Sequence, residues 1–534
     1  MALIDTYFPK VKNAGNRDSG VLRVFHAVYF VLLTILIWSQ VVSKFMMSGM
    51  QILLMVNWIM EGICILVLRR RQEGSGASTS FISSSPKSSR WLLYAYLVMM
   101  GVHLLWLIGS GNMKYGLDDI FRKLPLLAIP LVVLTSPRLN SKQIRWLLFS
   151  FVGMVFIVTM IGVVRLLTIP DLPYREIVPY ISHIRFSLNI CVAIVLLASI
   201  IFKERTSQSA RLRFLPIVLI VWFVVFLFIL RSYTAFFVLF VTAWVMLALY
   251  WRRMGKRHNW VLLALVALTI AIAMTTVGYV KSYYGDYYRM HTGLVENGNL
   301  LNDNISRAEL EQQWTKRSEM GIYDTTPNGY TVYPTLLRYL NASGMGKDSS
   351  GICQLTDRDI SLIEKGVANP VYEEKMPMKK MCYVLLFEYE NWRVYGSIQN
   401  SSVLERIELW CGAWRVFCDN PLFGVGTGDG VDALHEQLRA EGSQIADTQK
   451  HAHNQYLSFL VSFGLVGFLL IAIVFAIAFR KIQLKDKPAF FAIVIILLLS
   501  CISEDTLETL AGCVLCTVIP CLMALEVNNK NNKP

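Results

Sequence analysis

The chain is poor in charge. Only 16% of its 534 residues are Asp, Glu, Lys or Arg, against about 25% in soluble globular proteins. That shortage excludes a single soluble domain, and it excludes a disordered chain, which needs few apolar residues and much charge. Cysteine and histidine are also scarce, at ten and eight residues. None of them falls in a zinc-binding spacing, and so few cysteines do not make a disulfide scaffold. Strand-length alternation of apolar and polar residues, the mark of a membrane β-barrel, is missing too, because the apolar runs are continuous. What is abundant is apolar side chain, at 54% of the sequence. A membrane-crossing helix takes about 20 such residues, so the expected fold class is an all-α polytopic membrane protein.

Apolar runs lie at 21–42, 48–68, 91–110, 124–136, 146–168, 186–203, 214–230, 232–251, 260–280, 456–479, 488–503 and 508–526, giving twelve candidate spans. The fourth is short, and the charged segment before it (Asp118, Asp119, Arg122, Lys123) suits an interface from which a tilted helix begins early. As one helix, residues 214–251 would be about 57 Å long against a hydrocarbon core of about 30 Å. They therefore read as two spans with a tight turn near Arg231 and Ser232. Three regions follow: 1–280 with nine spans, 281–455 as one large outer segment, and 456–534 with three spans and a tail.

The formal charge of +14 would suit a nucleic-acid partner, but its distribution follows the loops. Lys10, Lys12 and Arg17; Arg69 to Arg71, Lys87 and Arg90; Arg138, Lys142 and Arg145; Lys203, Arg205, Arg211 and Arg213; Arg252, Arg253, Lys256 and Arg257; Arg480, Lys481, Lys485 and Lys487; and Lys530 and Lys533 all fall on one side. The positive-inside rule makes that side the cytoplasm, with both termini in it. The charge is then a topology signal and no nucleic acid is expected. About 20 mostly polar residues precede the first run, so no cleaved leader is expected. Gly74 to Ser89 reads as a flexible linker.

In the outer segment, Pro327, Pro334, Pro370 and Pro377 interrupt any long helix. Leu404, Ile407, Cys411 and Trp414 fall at helical spacing between Ser402 and Cys418, and Asn420-Pro421 stops that helix. The glycine-rich turn Gly424 to Gly430 follows, and then a second helical stretch at 431–441. Four outer cysteines (Cys353, Cys382, Cys411, Cys418) leave one or two disulfides open. The turn lacks the Lys-Ser/Thr of a nucleotide loop and reads better as backbone N–H groups lining an anion site. Asp357-Arg358-Asp359 has the form of a metal-nucleotide motif, but two acids so spaced are common in polar loops.

Two places carry candidate chemistry. His451-Ala452-His453-Asn454 stands where the outer segment re-enters the membrane, before a helix containing Gly464 and Gly467. A histidine there either serves structure or takes a proton from a hydroxyl near neutral pH. Arg231 stands at the outer mouth of a hairpin. Such an arginine either snorkels to the interface or forks onto the oxygens of a diphosphate. His183 and Arg185 before the sixth span, and Glu504 and Asp505 in the last outer turn, admit the same two readings.

Taken in order, Leu230-Arg231-Ser232-Tyr233-Thr234-Ala235, the helix with Arg406-Ile407-Glu408-Leu409-Trp410 leading into Asn420-Pro421-Leu422-Phe423-Gly424-Val425-Gly426-Thr427-Gly428, and His451-Ala452-His453-Asn454-Gln455-Tyr456-Leu457 resemble the O-antigen ligase superfamily. That superfamily also holds O-antigen polymerases and protein O-oligosaccharyltransferases. Glu504 to Thr509 looks like its C-terminal segment. The chain departs from the pattern at Leu230, where the family often has Ser, and in a longer outer segment from 281 to about 400.

The resemblance implies a glycosyltransferase that moves a glycan from a polyprenyl-diphosphate carrier to an acceptor hydroxyl on the outer face, with inversion. It implies that Arg231 and Arg406 bind the diphosphate and that His453 is the base. His451, Arg185, His183, Asn454 and Trp410 are expected to contact substrate. No cofactor and no metal are expected, and the partners are the lipid-linked donor, a lipid or glycan acceptor, and membrane lipid. A polymerase of the same superfamily is the alternative within the class. A transporter or flippase of a lipid-linked or anionic solute is the alternative outside it, although Glu61, the one carboxylate well inside a span, reads better as a packing group than as an ion site.

Overall fold

The computed structural model describes residues 16–72, 87–136, 139–170, 172–203, 210–254, 259–287, 292–373, 377–398, 401–484 and 487–528. Residues 74–86 of the expected linker, both termini, and basic loop residues such as Arg138, Arg205, Lys256 and Lys485 lie outside them. Among the described residues ten α-helices precede the outer segment: α1 (Asn16–Val42), α2 (Lys44–Gln72), α3 (Lys87–Leu105), α4 (Met113–Lys123), α5 (Pro125–Thr135), α6 (Ser141–Thr168), α7 (His183–Lys203), α8 (Ala210–Ile229), α9 (Tyr233–Met254) and α10 (Asn259–Tyr284). A short hairpin, β1 (Val295–Glu296) and β2 (Asn299–Leu300), leads to α11 (Arg307–Arg317), α12 (Val332–Ala342), α13 (Ser349–Gln354), α14 (Asp357–Glu364), α15 (Pro377–Tyr395), α16 (Ser402–Asp419) and α17 (Gly430–Ala440). The chain closes with α18 (Gln455–Lys481), α19 (Pro488–Ser503) and α20 (Leu510–Asn528).

Every apolar run carries a helix. Six of these, Gly20–Val42, Lys44–Leu68, Ser141–Thr168, His183–Ile201, Leu262–Tyr284 and Gln455–Lys481, are long and apolar enough to cross a membrane, and four shorter apolar helices accompany them. The protein is a helical polytopic membrane protein. Two local differences from the expected spans have clear causes. The third helix stops at Leu105, short of 110, because Thr427 takes the carbonyls of His103 and Trp106. The fourth run is an 11-residue helix, about 16 Å long at 1.5 Å per residue. The charged residues before it form α4, and Pro125, with no N–H to give, interrupts the ladder between the two.

Two compact units divide the chain. The first contains Met1–Trp251, Leu409–Glu441 and Thr448–Pro534. Lipid gives its helices no hydrophobic reason to associate, so close packing and polar contacts between helices hold them together. The indole N–H of Trp58 donates to Thr135 Oγ1 at 2.8 Å and that of Trp222 to Thr159 Oγ1 at 2.9 Å. Tyr96 donates its hydroxyl to the carbonyl of Cys516 at 2.5 Å. Glu61 is buried with an oxygen 2.9 Å from His26 Nε2, out of line for a hydrogen bond, and it joins α1 to α2 as a packing carboxylate.

The second unit contains Arg252–Glu408 and Gly442–Asp447. Its small core gathers Leu310, Trp314, Leu336, Leu340, Ile352 and Ile363. The prolines begin elements here instead of ending them: Pro377 opens α15, Pro370 opens a 3-10 turn, and Pro334 sits in the first turn of α12, where its missing N–H costs nothing. Asp359 closes a capping box with Thr356 at the start of α14 and accepts the Tyr339 hydroxyl at 2.5 Å. The Asp357-Arg358-Asp359 segment is thus a helix start. Among the described residues no two cysteines form a disulfide.

The glycine turn is a lock, not an anion cradle. Its N–H groups are already spent: Gly424 on Asn420 O, Val425 on Val461 O, Gly426 on Ser462 O, Thr427 on Trp106 O, and Gly428 on Ser110 Oγ. The partner on α18 is a break at Gly464, with φ +60 and ψ −167, a region open essentially to glycine alone. A Cβ there would stand 2.4 Å from the Leu422 carbonyl carbon. Replacing Gly464 by Ala combines that clash with about 1–3 kcal/mol of backbone strain, and should lower the thermal midpoint of the purified protein in detergent. An unchanged midpoint would refute the lock.

Candidate functional site

The site is built on the short turn between α19 and α20. Asp505 accepts three hydrogen bonds there: from the backbone N–H of His453 at 2.7 Å, from that of Asn454 at 3.1 Å, and from Ser458 Oγ at 2.8 Å. His453 is held at φ +50, in the left-handed region that non-glycine residues visit rarely. Asn454 is the N-cap of α18, its side-chain oxygen accepting from Tyr456 N and Leu457 N at 3.0 and 3.2 Å. The histidine segment is thus clamped from both sides. Its helix is capped below it and a carboxylate from another turn holds its backbone.

The His453 ring is about one-third exposed, with Nδ1 3.8 Å from Glu504 Oε2. At that distance the two groups face each other without a hydrogen bond. His451 faces inward, its Nε2 3.4 Å from the Tyr115 hydroxyl. Both lie near a small cavity of about 40 Å³ that Tyr115, Asp119, Lys123, Thr427, His451 and Glu508 help to line. That volume holds a water molecule or two.

Below the histidines lies a buried ion cluster that the sequence reading did not single out. Lys123 Nζ is 2.6 Å from Asp119 Oδ2 and 2.9 Å from Glu508 Oε2. Gln455 ties Glu508 to the histidine helix, donating to Glu508 Oε1 at 3.0 Å while accepting Leu507 N at 2.8 Å. Burial, and then the Glu508 carboxylate, push the Asp119 carboxyl up to about 7. The Lys123 ammonium supplies the counter-charge to the buried Glu508 carboxylate. The only available signal was Asp119 and Lys123 at i, i+4 beside the fourth run, with no sign that both were buried.

Arg231 sits on the turn joining α8 to α9, at φ +51. Its N–H donates to Phe228 O and that of Ser232 to Leu227 O, the ending in which the left-handed residue is usually glycine. Leu230 beside it is fully buried, and Ser232 Oγ donates to Ser187 Oγ at 2.7 Å, fixing the turn to α7. The exposed guanidinium lies 5.6 Å over the Tyr174 ring, and Tyr174 meets His183 edge-on at 5.6 Å between centroids. His183 and Arg185 both lie in the field of Glu504. Ring contacts therefore run from Arg231 through Tyr174 to His183, which lies within the electrostatic reach of Glu504, and Tyr174 is the link the sequence did not suggest.

Trp410 lies on α16 with its indole N–H buried and without a hydrogen-bond partner. Arg406, one turn earlier on the same helix, belongs to the second unit. The apolar stripe expected on this helix faces outward: Ile407, Cys411 and Trp414 are exposed, and Leu409, Gly412, Ala413 and Val416 are the buried side. Among the described residues no group of three or more His, Cys, Asp or Glu is arranged to hold a metal ion.

Residues 365–472 match the family model described as O-Antigen ligase. The match takes in α16, the glycine turn, the histidine segment and two thirds of α18, the stretch that carried most of the resemblance. No curated protein matches the chain.

Two outcomes follow from the ion cluster. Lys123→Met leaves two buried carboxylates facing each other and should cost about 3–5 kcal/mol, seen as a large fall in thermal midpoint, with Lys123→Arg recovering part of it. The folded chain keeps the Asp119 proton to about pH 7, while an unfolded chain releases it near 4. Stability should therefore fall as pH rises between those values. In Asp119→Asn that slope should flatten in a pH series of melting curves.

Proposed function

We propose that this chain, a member of the O-antigen ligase superfamily through residues 365–472, transfers a glycan from a polyprenyl-diphosphate carrier to an acceptor hydroxyl. The transfer takes place at the outer face of a bacterial inner membrane. The observation that carries the reading is the clamped His453: a partly exposed imidazole, its backbone held by Asp505 and its Nδ1 on the side of Glu504.

The acceptor oxygen attacks the anomeric carbon of the first sugar as His453 Nε2 takes its proton. The bond from that carbon to the phosphate oxygen breaks, its electron pair leaving with the diphosphate, and attack from the opposite face inverts the centre. Charge grows on the leaving diphosphate. Arg231 and Arg406 are the groups assigned to it, because a guanidinium forks onto two phosphate oxygens and stabilises the charge as it develops. Tyr174 holds the Arg231 guanidinium over its ring. Arg185 and His183 extend the polar surface toward Glu504, and Trp410 offers an apolar face with a spare N–H to substrate. His451 supports the base from the cavity side through Tyr115.

The twelve-helix reading with both termini cytoplasmic completes the proposal, since it places 281–455 and the turn of Glu504 and Asp505 on the same outer side. Ligase and polymerase chemistry share this geometry and differ in the acceptor, a lipid-anchored core sugar or a second lipid-linked repeat unit.

The test is transfer by the purified protein in vesicles supplied with a polyprenyl-diphosphate glycan and each acceptor in turn. His453→Ala should lower the rate by a factor on the order of 100 to 10,000, the usual worth of a general base, with the melting curve unchanged. Arg231→Ala should slow release of polyprenyl diphosphate while leaving acceptor KM in place. Full activity in His453→Ala would sink the assignment of the base.

A further inference from the structure

Helix α15 is apolar on the side that faces away from its own unit. Its inward side is accounted for: Tyr383 is fully buried and stacks on Phe387 at 6.0 Å, and Glu390, also buried, accepts the Tyr284 hydroxyl at 2.9 Å and pairs with Arg393 at 2.7 Å. On the opposite side stand Leu385, Tyr389 and Trp392, at i, i+4 and i+7, exposed by 39%, 46% and 45%. The rings of Tyr389 and Trp392 are 6.0 Å apart. No Lys, Arg, Asp or Glu lies within this row, and the nearest acid, Glu388, is turned to Ser401 Oγ at 2.6 Å. A helix on a water-exposed surface puts polar residues outward. This one puts Leu, Tyr and Trp there.

The position of the row indicates what covers it. α15 packs on the last turns of α10, in the same unit. The Tyr283 and Tyr383 rings are 6.1 Å apart, and the bond from Tyr284 to Glu390 sets the middle of α15 level with the end of α10. α10 carries one of the six segments long and apolar enough to cross a membrane, Leu262–Tyr284, and its length is largely exposed. The end of such a segment is the depth at which Trp and Tyr concentrate, with the ring body in the acyl boundary and the polar edge among headgroups. We infer that α15 is an interfacial helix whose Leu385, Tyr389 and Trp392 seat in the outer leaflet of the bilayer. The inference rests on α10 crossing the membrane.

The seat explains why the row is apolar and uncharged, since an interfacial helix binds by the apolar area it buries. It also gives the added part of the outer segment a physical task, holding the unit that contains α11 to α14 at the membrane surface.

The experiment uses the full chain in nanodiscs containing a lipid with a photoreactive group at the top of its acyl chain, and maps adducts by peptide mass spectrometry. Adducts are expected on 385–392 and along α10. Tyr389→Glu with Trp392→Glu should cut the α15 adducts at least about tenfold, since a charge is expelled from the interface, while the α10 adducts and the melting curve stay as they were. Adducts on α10 with none on α15 would overturn the inference and leave the spanning helix intact. Absence from both would overturn the inference together with the reading of α10. Loss of α15 adducts on adding a soluble oligosaccharide would also overturn it, in favour of a glycan platform.

Discussion

One carboxylate carries the arrangement. Asp505 receives two consecutive backbone N–H groups and a serine hydroxyl from the segment that opens α18. Those bonds hold His453 in its left-handed backbone. Strain of this kind costs on the order of 1–3 kcal/mol and persists only where the surroundings impose it. Here two turns far apart in sequence impose it on each other. The acidic turn needs the N–H groups to offset its burial, and the histidine turn needs the acid to hold its shape.

The acidic turn is in turn set by charge below it. Lys123 lies between Asp119 and Glu508 and neutralises one of them, and Gln455 relays that position to the first residue of α18. Buried ion groups of this kind contribute little net stability but are costly to break singly, which suits a device that fixes geometry. The glycine lock at Gly424 and Gly464 fixes the same helix about two and a half turns further on, through backbone contacts. α18 therefore enters the membrane held by carboxylates at its start and by close backbone packing at its break.

The helices were legible in the sequence because lipid demands continuous apolar runs of defined length, and every run found by that rule carries a helix. The candidate site was legible where a polar residue stood at a membrane mouth, as with Arg231, His183, Arg185 and the histidine pair. It was not legible where meaning depends on burial or on a distant partner. The N–H groups of the glycine turn looked available for an anion, and only the fold shows them spent on Trp106, Ser110, Val461 and Ser462. The stripe of Ile407, Cys411 and Trp414 had the period of a core face and is the outward one, because a segment near a membrane has apolar surroundings on more than one side. Tyr174 had nothing in its local sequence to mark it, and the i, i+4 spacing of Asp119 and Lys123 gave no sign that both are buried.

The central claim is that Asp505 organises the base without touching substrate. It is tested most directly by the steady-state rate of glycan transfer by Asp505→Asn, measured beside its affinity for the lipid-diphosphate donor. The amide keeps the size of the side chain and one acceptor oxygen but loses the charge and the second acceptor for the paired N–H groups. The expected result is a large fall in kcat with donor affinity kept and the chain still folded. Transfer at the wild-type rate, or loss of donor binding with kcat unchanged, would contradict it.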